Sequence, residues 1–412
     1  MPQANALDLD FVRSHFPALA GDWTFFENAG GTLVPRNVID RVRAYLAETQ
    51  VQPGASYDAS ALATERIEAA QRLMAAMINA DPEEVVVGPS TTMNIYVLAQ
   101  ALRPWFRPGD ELIATNQDHE ANNGAWRRLE EFGVKVKEWR VNPLSGELEV
   151  DQLDRLLTER TRLVCFTHCS NILGSIHDVG AITRKVHEAG AVVCVDGVHY
   201  ALHRQVDVKA LDVDFYALSL YKLYGPHLGL LYGKREHLLR ARGQNHYFIG
   251  EDDIPLKLVP GGVNHELTAG SRGIVDYFDA LYRHHFAKTN LDLRARLERT
   301  FELIAAHEEA LATRLAEFLT SRPNVRLIGR ATGEAHTRVP TFSFVVEGRD
   351  SAEIPPLLEA HRVAIRSGDF YAHRLIRDLG LLPQNGVVRM SMAHYNTAQE
   401  VDRLIHHLDK VL

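Results

Sequence analysis

The segment Leu220-Tyr221-Lys222-Leu223-Tyr224-Gly225-Pro226 sets a lysine just after an apolar run, Val213 to Ser219. Lysine is normally a solvated charge; at the end of a buried strand its amine pKa falls and it becomes a nucleophile toward carbonyl carbon. The chemistry this allows is Schiff-base formation. A lysine that caps the strand and reaches solvent fits the same segment, so the upstream residues must decide. Asp196 closes a second apolar run, Ala191 to Val195, at the carboxyl edge where open α/β sheets place their ligands. A carboxylate there needs a cationic partner, unless it only opens an Asp196-Gly197 turn.

A protonated pyridine nitrogen is such a partner, and keeping it charged is what makes pyridoxal 5'-phosphate an electron sink. Ser90-Thr91-Thr92 lies between the run Val85 to Gly88 and an apolar helical stretch that begins near Met93. Hydroxyls, free amides and the helix dipole converge there on an anion, although the same residues suit an ordinary helix cap. Ser219 and Tyr221 are further donors toward a phosphate. His119, in Asp118-His119-Glu120-Ala121-Asn122, follows the run Leu112 to Thr115 and is placed to lay its ring over an aromatic cofactor. Asn171 and His199 each follow a strand and are placed to donate to a phenolate oxygen. Taken singly, each is also an ordinary loop or turn residue.

The elements that would position these groups are short apolar runs alternating with helical patterns from about 85 to 233. The runs are Val85 to Gly88, Leu112 to Thr115, Val134 to Trp139, Leu163 to Thr167, Val192 to Val195, Phe215 to Leu218 and Leu228 to Tyr232. Most are continuously apolar, as in strands covered on both faces. They predict an α/β fold whose large domain has a mostly parallel seven-stranded sheet covered by helices. A long helical stretch from Thr289 to Arg322 leads to a smaller α/β pattern. There Val325 to Leu327, Thr341 to Val346, Val363 to Arg366 and Val387 to Met392 read as strands, and Ala352 to His361 and Thr397 to Val411 as helices. The expected partition is 1–30 packing with the small domain, 31–288 as the large domain, and 289–412 as linker helix and small domain.

The 412 residues carry 45 basic and 53 acidic side chains without a basic block, which gives no attraction to nucleic acid or anionic lipid. The amino terminus, Met1 to Leu7, lacks the charged and apolar stretches of a secretory signal, and no run approaches membrane-spanning length. A cytoplasmic location is expected. The three cysteines, Cys165, Cys169 and Cys194, lie in apolar runs without metal or disulfide spacing and read as reduced core thiols. No metal is expected.

In order along the chain, Asn28-Ala29-Gly30-Gly31, Ser90-Thr91-Thr92, Asp118 to Asn122, Ser170-Asn171-Ile172-Leu173-Gly174, Asp196-Gly197, Lys222 to Pro226, Arg366-Ser367-Gly368 and Tyr395-Asn396-Thr397 resemble the class V aminotransferases. These belong to the pyridoxal-phosphate fold type I superfamily, and the group II cysteine desulfurases are the most similar members. The resemblance spans nearly the whole chain. It implies that Lys222 forms the Schiff base, Asp196 pairs with the pyridine nitrogen, His119 stacks on the ring and Val198 packs beneath it. Asn171 and His199 would flank the phenolate oxygen, and Ser90, Thr91, Thr92, Ser219 and Tyr221 would surround the phosphate. Thr268 would reach it from the partner subunit of a homodimer with shared active sites. Arg389 would clamp a substrate carboxylate, with Arg366 as a second candidate and Asn28 and Tyr371 beside the substrate. In that scheme Lys222, His119 and Asp196 carry the catalysis.

Departures from the family pattern are informative. Where the desulfurases carry their sulfur-accepting cysteine, this chain reads Asp369-Phe370-Tyr371-Ala372-His373, and the histidine before the Schiff-base lysine is Tyr221. Without that thiol, the expected chemistry is Cα-proton abstraction from an amino acid followed by β-elimination, a carbon-sulfur lyase reaction on a cysteine-like substrate. Transamination or epimerisation is the alternative, and a non-catalytic scaffold the alternative of another class.

Overall fold

The structure is a computed structural model that describes residues 6–287 and 290–412. The expectations that fall on Met1 to Asn5 and on the 288/289 boundary lie outside the described residues. Among the described residues thirteen strands follow in chain order: β1 (Thr24–Phe25), β2 (Val85–Gly88), β3 (Glu111–Thr115), β4 (Lys135–Trp139), β5 (Thr161–Thr167), β6 (Val192–Asp196), β7 (Phe215–Ser219), β8 (Gly229–Gly233), β9 (Val325–Ile328), β10 (Thr341–Val346), β11 (Val363–Ala364), β12 (Arg366–Gly368) and β13 (Val387–Ser391).

The large sheet has seven strands in the order β2-β8-β7-β6-β5-β3-β4. β8 is antiparallel to both of its neighbours and the other pairings are parallel. Successive side chains point to opposite faces, and here both faces are cores: Val164 and Phe166 join one apolar cluster, Leu163 and Cys165 another. That is why these strands read as unbroken apolar runs. The carboxyl ends of β2, β5, β6 and β7 share one edge, which brings Thr167, Asp196 and Ser219 to the same rim. All three cysteines are buried and free.

β12, β13, β10 and β9 form a second, antiparallel sheet. The strand expected from Val363 to Arg366 is divided. Val363 and Ala364 pair in parallel with Thr24 and Phe25, whereas Arg366 to Gly368 pair with β13. Ile365, 3% exposed, is buried at the crossing point. The helix Leu293–Thr320 runs 28 residues, roughly 42 Å at 1.5 Å per residue. Its first half packs Leu297, Phe301 and Ile304 into the large core, and its second half packs Leu311, Leu315 and Leu319 into the small one. Between these stretches Glu308, fully buried, accepts from Arg204 Nη1 at 2.8 Å and pairs with His203 Nδ1 at 2.8 Å. Among the described residues no helix is long and apolar enough to cross a membrane.

Candidate active site

Lys222 closes a short 3-10 turn directly after β7, and Asp196 is the last residue of β6. Both side chains line one cavity. Burial lowers the Lys222 amine from 10.5 to about 8, the nearby Arg389 charge pushes the same way, and Asp196 opposes them. Burial also raises the Asp196 carboxyl, against a hydrogen bond from Val198 N–H at 2.9 Å and the charge of Lys222. The same dry environment thus works against the charged form of each group. Behind Asp196, burial raises the Asp118 carboxyl to about 7 while Thr115 and Asn122 donate to it.

The Ser90-Thr91-Thr92 turn reaches the same cavity, but its hydroxyls are not equivalent. Ser90 Oγ accepts from Met93 N at 3.1 Å and caps the helix Thr91–Leu102. Thr91 Oγ1 donates to the Leu218 carbonyl at 2.7 Å and lies 2.7 Å from Ser219 Oγ. Thr92 keeps a hydroxyl free of such ties beside the first amides of the helix, the anion-favouring end. β8 contributes a glycine the turn requires: a Cβ on Gly229 would lie 2.4 Å from Thr91 N.

His119 lines the cavity with Nδ1 accepting from Ala121 N at 3.1 Å. Burial, then the charges of Lys222 and Arg389, lower its pKa to about 3. It is therefore a neutral ring, suited to stacking rather than proton transfer near neutral pH. His199, 2% exposed, bonds Thr341 Oγ1 through Nε2 at 2.9 Å, and its Nδ1 is buried without a partner among the described residues. Val198 and Asn171 complete the lining, and Tyr221 stacks on His227 at 4.7 Å.

The cavity continues outward into a chamber that shares His119, Asn171, Tyr221 and Lys222 with it and adds Arg366, Phe370, Tyr371 and Arg389. Arg389 is 3% exposed, and burial lowers its pKa to about 9. Arg366 is solvent-facing and tied to Glu27 at 2.8 Å. Tyr371, 72% exposed, stands at the rim with its ring 5.2 Å from that of His119.

Two residues placed at the site from sequence lie outside it. Asn28 is 2% exposed and spends its amide on the carbonyls of Phe25 and Ser391 and on Asn396 Oδ1, while Tyr395 OH donates to its oxygen. It ties the N-terminal segment to β13 and has nothing left to offer a substrate, though its neighbours Ala29 and Gly30 line the chamber. Thr268 lies on the helix His265–His285 and is fully covered by its own chain, so its hydroxyl is not presented to a second subunit. Asn171 differs in detail from the expectation: its amide donates to the Phe370 carbonyl at 3.0 Å. Sequence reading missed Thr167 and Phe370. Thr167 ends β5 on the same rim, a signal that was available, whereas nothing local marks Phe370.

The sequence model of the aminotransferase class-V family matches residues 24–404. The chain belongs to this family. Its members are pyridoxal-phosphate-dependent enzymes. Similar proteins include the aminotransferase-like protein FGM3 of Gibberella zeae, 40% identical over 99% of this chain and 100% of that one. The cysteine desulfurase-like protein ustD of Aspergillus flavus is 35% identical over 100% and 92%. The crystal structure of the cysteine desulfurase CsdA from Escherichia coli superposes with a TM-score of 0.83 at 29% identity, covering 98% of each chain. The site of this class V chain fits the cofactor. Among the described residues the Asp196 carboxyl faces no cation other than Lys222 and the His199 Nδ1 has no partner, while the helix end at Thr92 favours an anion; a phosphorylated pyridine would match all three.

Proposed function

We propose that this class V enzyme removes the Cα proton of an amino acid and expels a β-substituent, acting as a carbon-sulfur lyase on a cysteine-like substrate. When bound, pyridoxal phosphate supplies an electrophilic carbon for the substrate amine and a ring that withdraws the charge left at Cα. Lys222 holds the cofactor, and Asp196 supplies the buried carboxylate that keeps a ring nitrogen protonated. His119 covers the ring face, and Thr92 with the helix amides holds the phosphate. Arg389 receives the substrate carboxylate through its planar fork. Once free, the Lys222 amine, at about 8, takes the Cα proton at Nζ and holds it for the departing sulfur.

The observation that carries this reading is the chemistry of the outer chamber: it presents an amine, two guanidiniums and two tyrosines, but among the described residues its lining contains no thiol. Cys169 borders the inner cavity, yet its Sγ is tied to the Gly174 carbonyl at 3.3 Å and burial pushes its pKa up, away from a thiolate. Sulfur therefore has no protein acceptor and leaves in solution. The test incubates holoenzyme with a panel of cysteine-like amino acids and assays sulfide, pyruvate and pyridoxamine phosphate together. Sulfide with pyruvate is expected; pyridoxamine phosphate without either would overturn elimination in favour of transamination.

A homodimer belongs to the same reading. Val38, Ile39, Val42 and Leu46 on the helix Arg36–Glu48, together with Leu267, form an apolar groove in which Ile39 and Leu46 are more than 40% exposed. A second copy covering it would remove that surface from water. Sedimentation as a monomer at micromolar concentration would contradict it.

A further inference from the structure

The loop that replaces the desulfurase cysteine holds two consecutive aromatic residues in the left-handed region, Phe370 at φ +50° and Tyr371 at φ +61°. Bulky side chains avoid that region, and such strain persists only where surrounding contacts over-determine it. Here they do. The Phe370 carbonyl accepts from Asn171 Nδ2 at 3.0 Å, and the Tyr371 carbonyl accepts from Glu120 N at 2.8 Å. Asp369 fastens the turn from inside, accepting from Tyr371 N at 3.1 Å and pairing with His373 Nδ1 at 2.9 Å. The strained turn thus aims one ring: Phe370 lies over the Arg389 guanidinium, 3.7 Å from its carbon to the ring centroid. Arg389 Nη1 in turn donates to the Asn171 carbonyl at 3.1 Å, so Arg389, Asn171 and Phe370 close a circuit.

We propose that Phe370 is a positioning residue for substrate recognition, its ring holding the Arg389 guanidinium flat and dry on one face so that the remaining N–H edge meets the substrate carboxylate. The inference rests on the reading of Arg389 as the carboxylate clamp. A guanidinium stacks well on an aromatic face because it is weakly hydrated, and the attraction is largest where both are desolvated. Fixing the plane in advance removes an ordering cost from binding. An aliphatic side chain at 370 fills the space but cannot attract the cation.

The test uses holoenzyme and two reagents that both condense with the cofactor aldehyde and displace Lys222: aminooxyacetate, which carries a carboxylate, and methoxyamine, which does not. Loss of the visible band gives a rate for each, and their ratio measures carboxylate recognition without knowledge of the natural substrate. Wild type prefers aminooxyacetate. Phe370→Leu and Phe370→Met each lose about tenfold of that preference with the methoxyamine rate unchanged, and Phe370→Tyr retains it. If wild type shows no preference, the reading of Arg389 fails. If wild type shows it and both aliphatic variants keep it, Arg389 stands and the role of Phe370 is overturned; an equal fall in both rates also overturns it.

Discussion

The most direct consequence of the site's electrostatics is that Lys222 destabilises the cofactor-free protein. Burial lowers its pKa from 10.5 to about 8. The folded-state value lies below the unfolded one, so the folded state is penalised wherever the amine is made to carry its proton. The penalty is complete below about pH 8 and fades as pH rises toward 10.5. A gap of about two and a half pH units, at roughly 1.4 kcal/mol each, sets it at about 3 kcal/mol at pH 7 and about 1 kcal/mol at pH 10. Lys222→Met keeps the length of the side chain and removes the charge. Cofactor-free Lys222→Met should therefore resist unfolding better than cofactor-free wild type at pH 7, by up to that amount, with the advantage shrinking at pH 10. Thermal melts of both proteins at the two pH values measure it. A variant less stable than wild type at pH 7, or an advantage that does not change with pH, would refute the argument that the lysine is held desolvated.

Three further outcomes follow from other parts of the molecule. Glu308→Ala leaves Arg204 and His203 without their buried carboxylate and should cost about 3–5 kcal/mol in denaturant unfolding. Asn28→Ala removes the side-chain donations to Phe25, Ser391 and Asn396 and takes away the acceptor of the buried Tyr395 hydroxyl; it should lower stability by about 1–3 kcal/mol, while the visible cofactor band of the purified protein is retained. Arg366→Ala removes only an exposed pair with Glu27, 63% and 32% accessible; melting should shift by less than about 1 kcal/mol, and if the buried Arg389 is the clamp, as proposed, the aminooxyacetate preference should persist.

What could be read in the chain follows from where each signal is local. β2, β3, β7 and β8 are buried at every residue, and this two-sided burial writes itself as unbroken apolar runs. β1 has two residues, too few to show a period, and its existence depends on Val363 and Ala364 more than three hundred positions away. The same distance hid the break at Ile365, because the residues on either side satisfy different sheets. Lys222 and Asp196 were visible as charges at the ends of apolar runs, and they line one cavity. Asn28 looked equally promising, but its partners Ser391, Tyr395 and Asn396 come from the far end of the sequence and occupy both the nitrogen and the oxygen of its amide. Thr268 was placed by analogy with a partner subunit, and local sequence carries no information on whether its own helix buries it.

Phe370 marks the limit of such reading in a different way. Left-handed backbone is ordinarily announced by glycine or asparagine, and a phenylalanine at φ +50° gives no notice. The contacts that make the chain accept the strain, the circuit with Asn171 and Arg389 and the ties to Glu120 and Asp369, are all tertiary or side-chain contacts that no local pattern announces. The same logic covers the inner cavity, where Asp196 is raised, Lys222 is lowered and, among the described residues, His199 Nδ1 has no partner. Every one of these is a cost while the protein stands alone, and on the proposed reading a single ring bearing a cationic nitrogen, an electrophilic carbon and an oxygen acceptor would relieve all of them at once. Local rules fail at these positions because the sequence there is matched to a ligand, not to the fold.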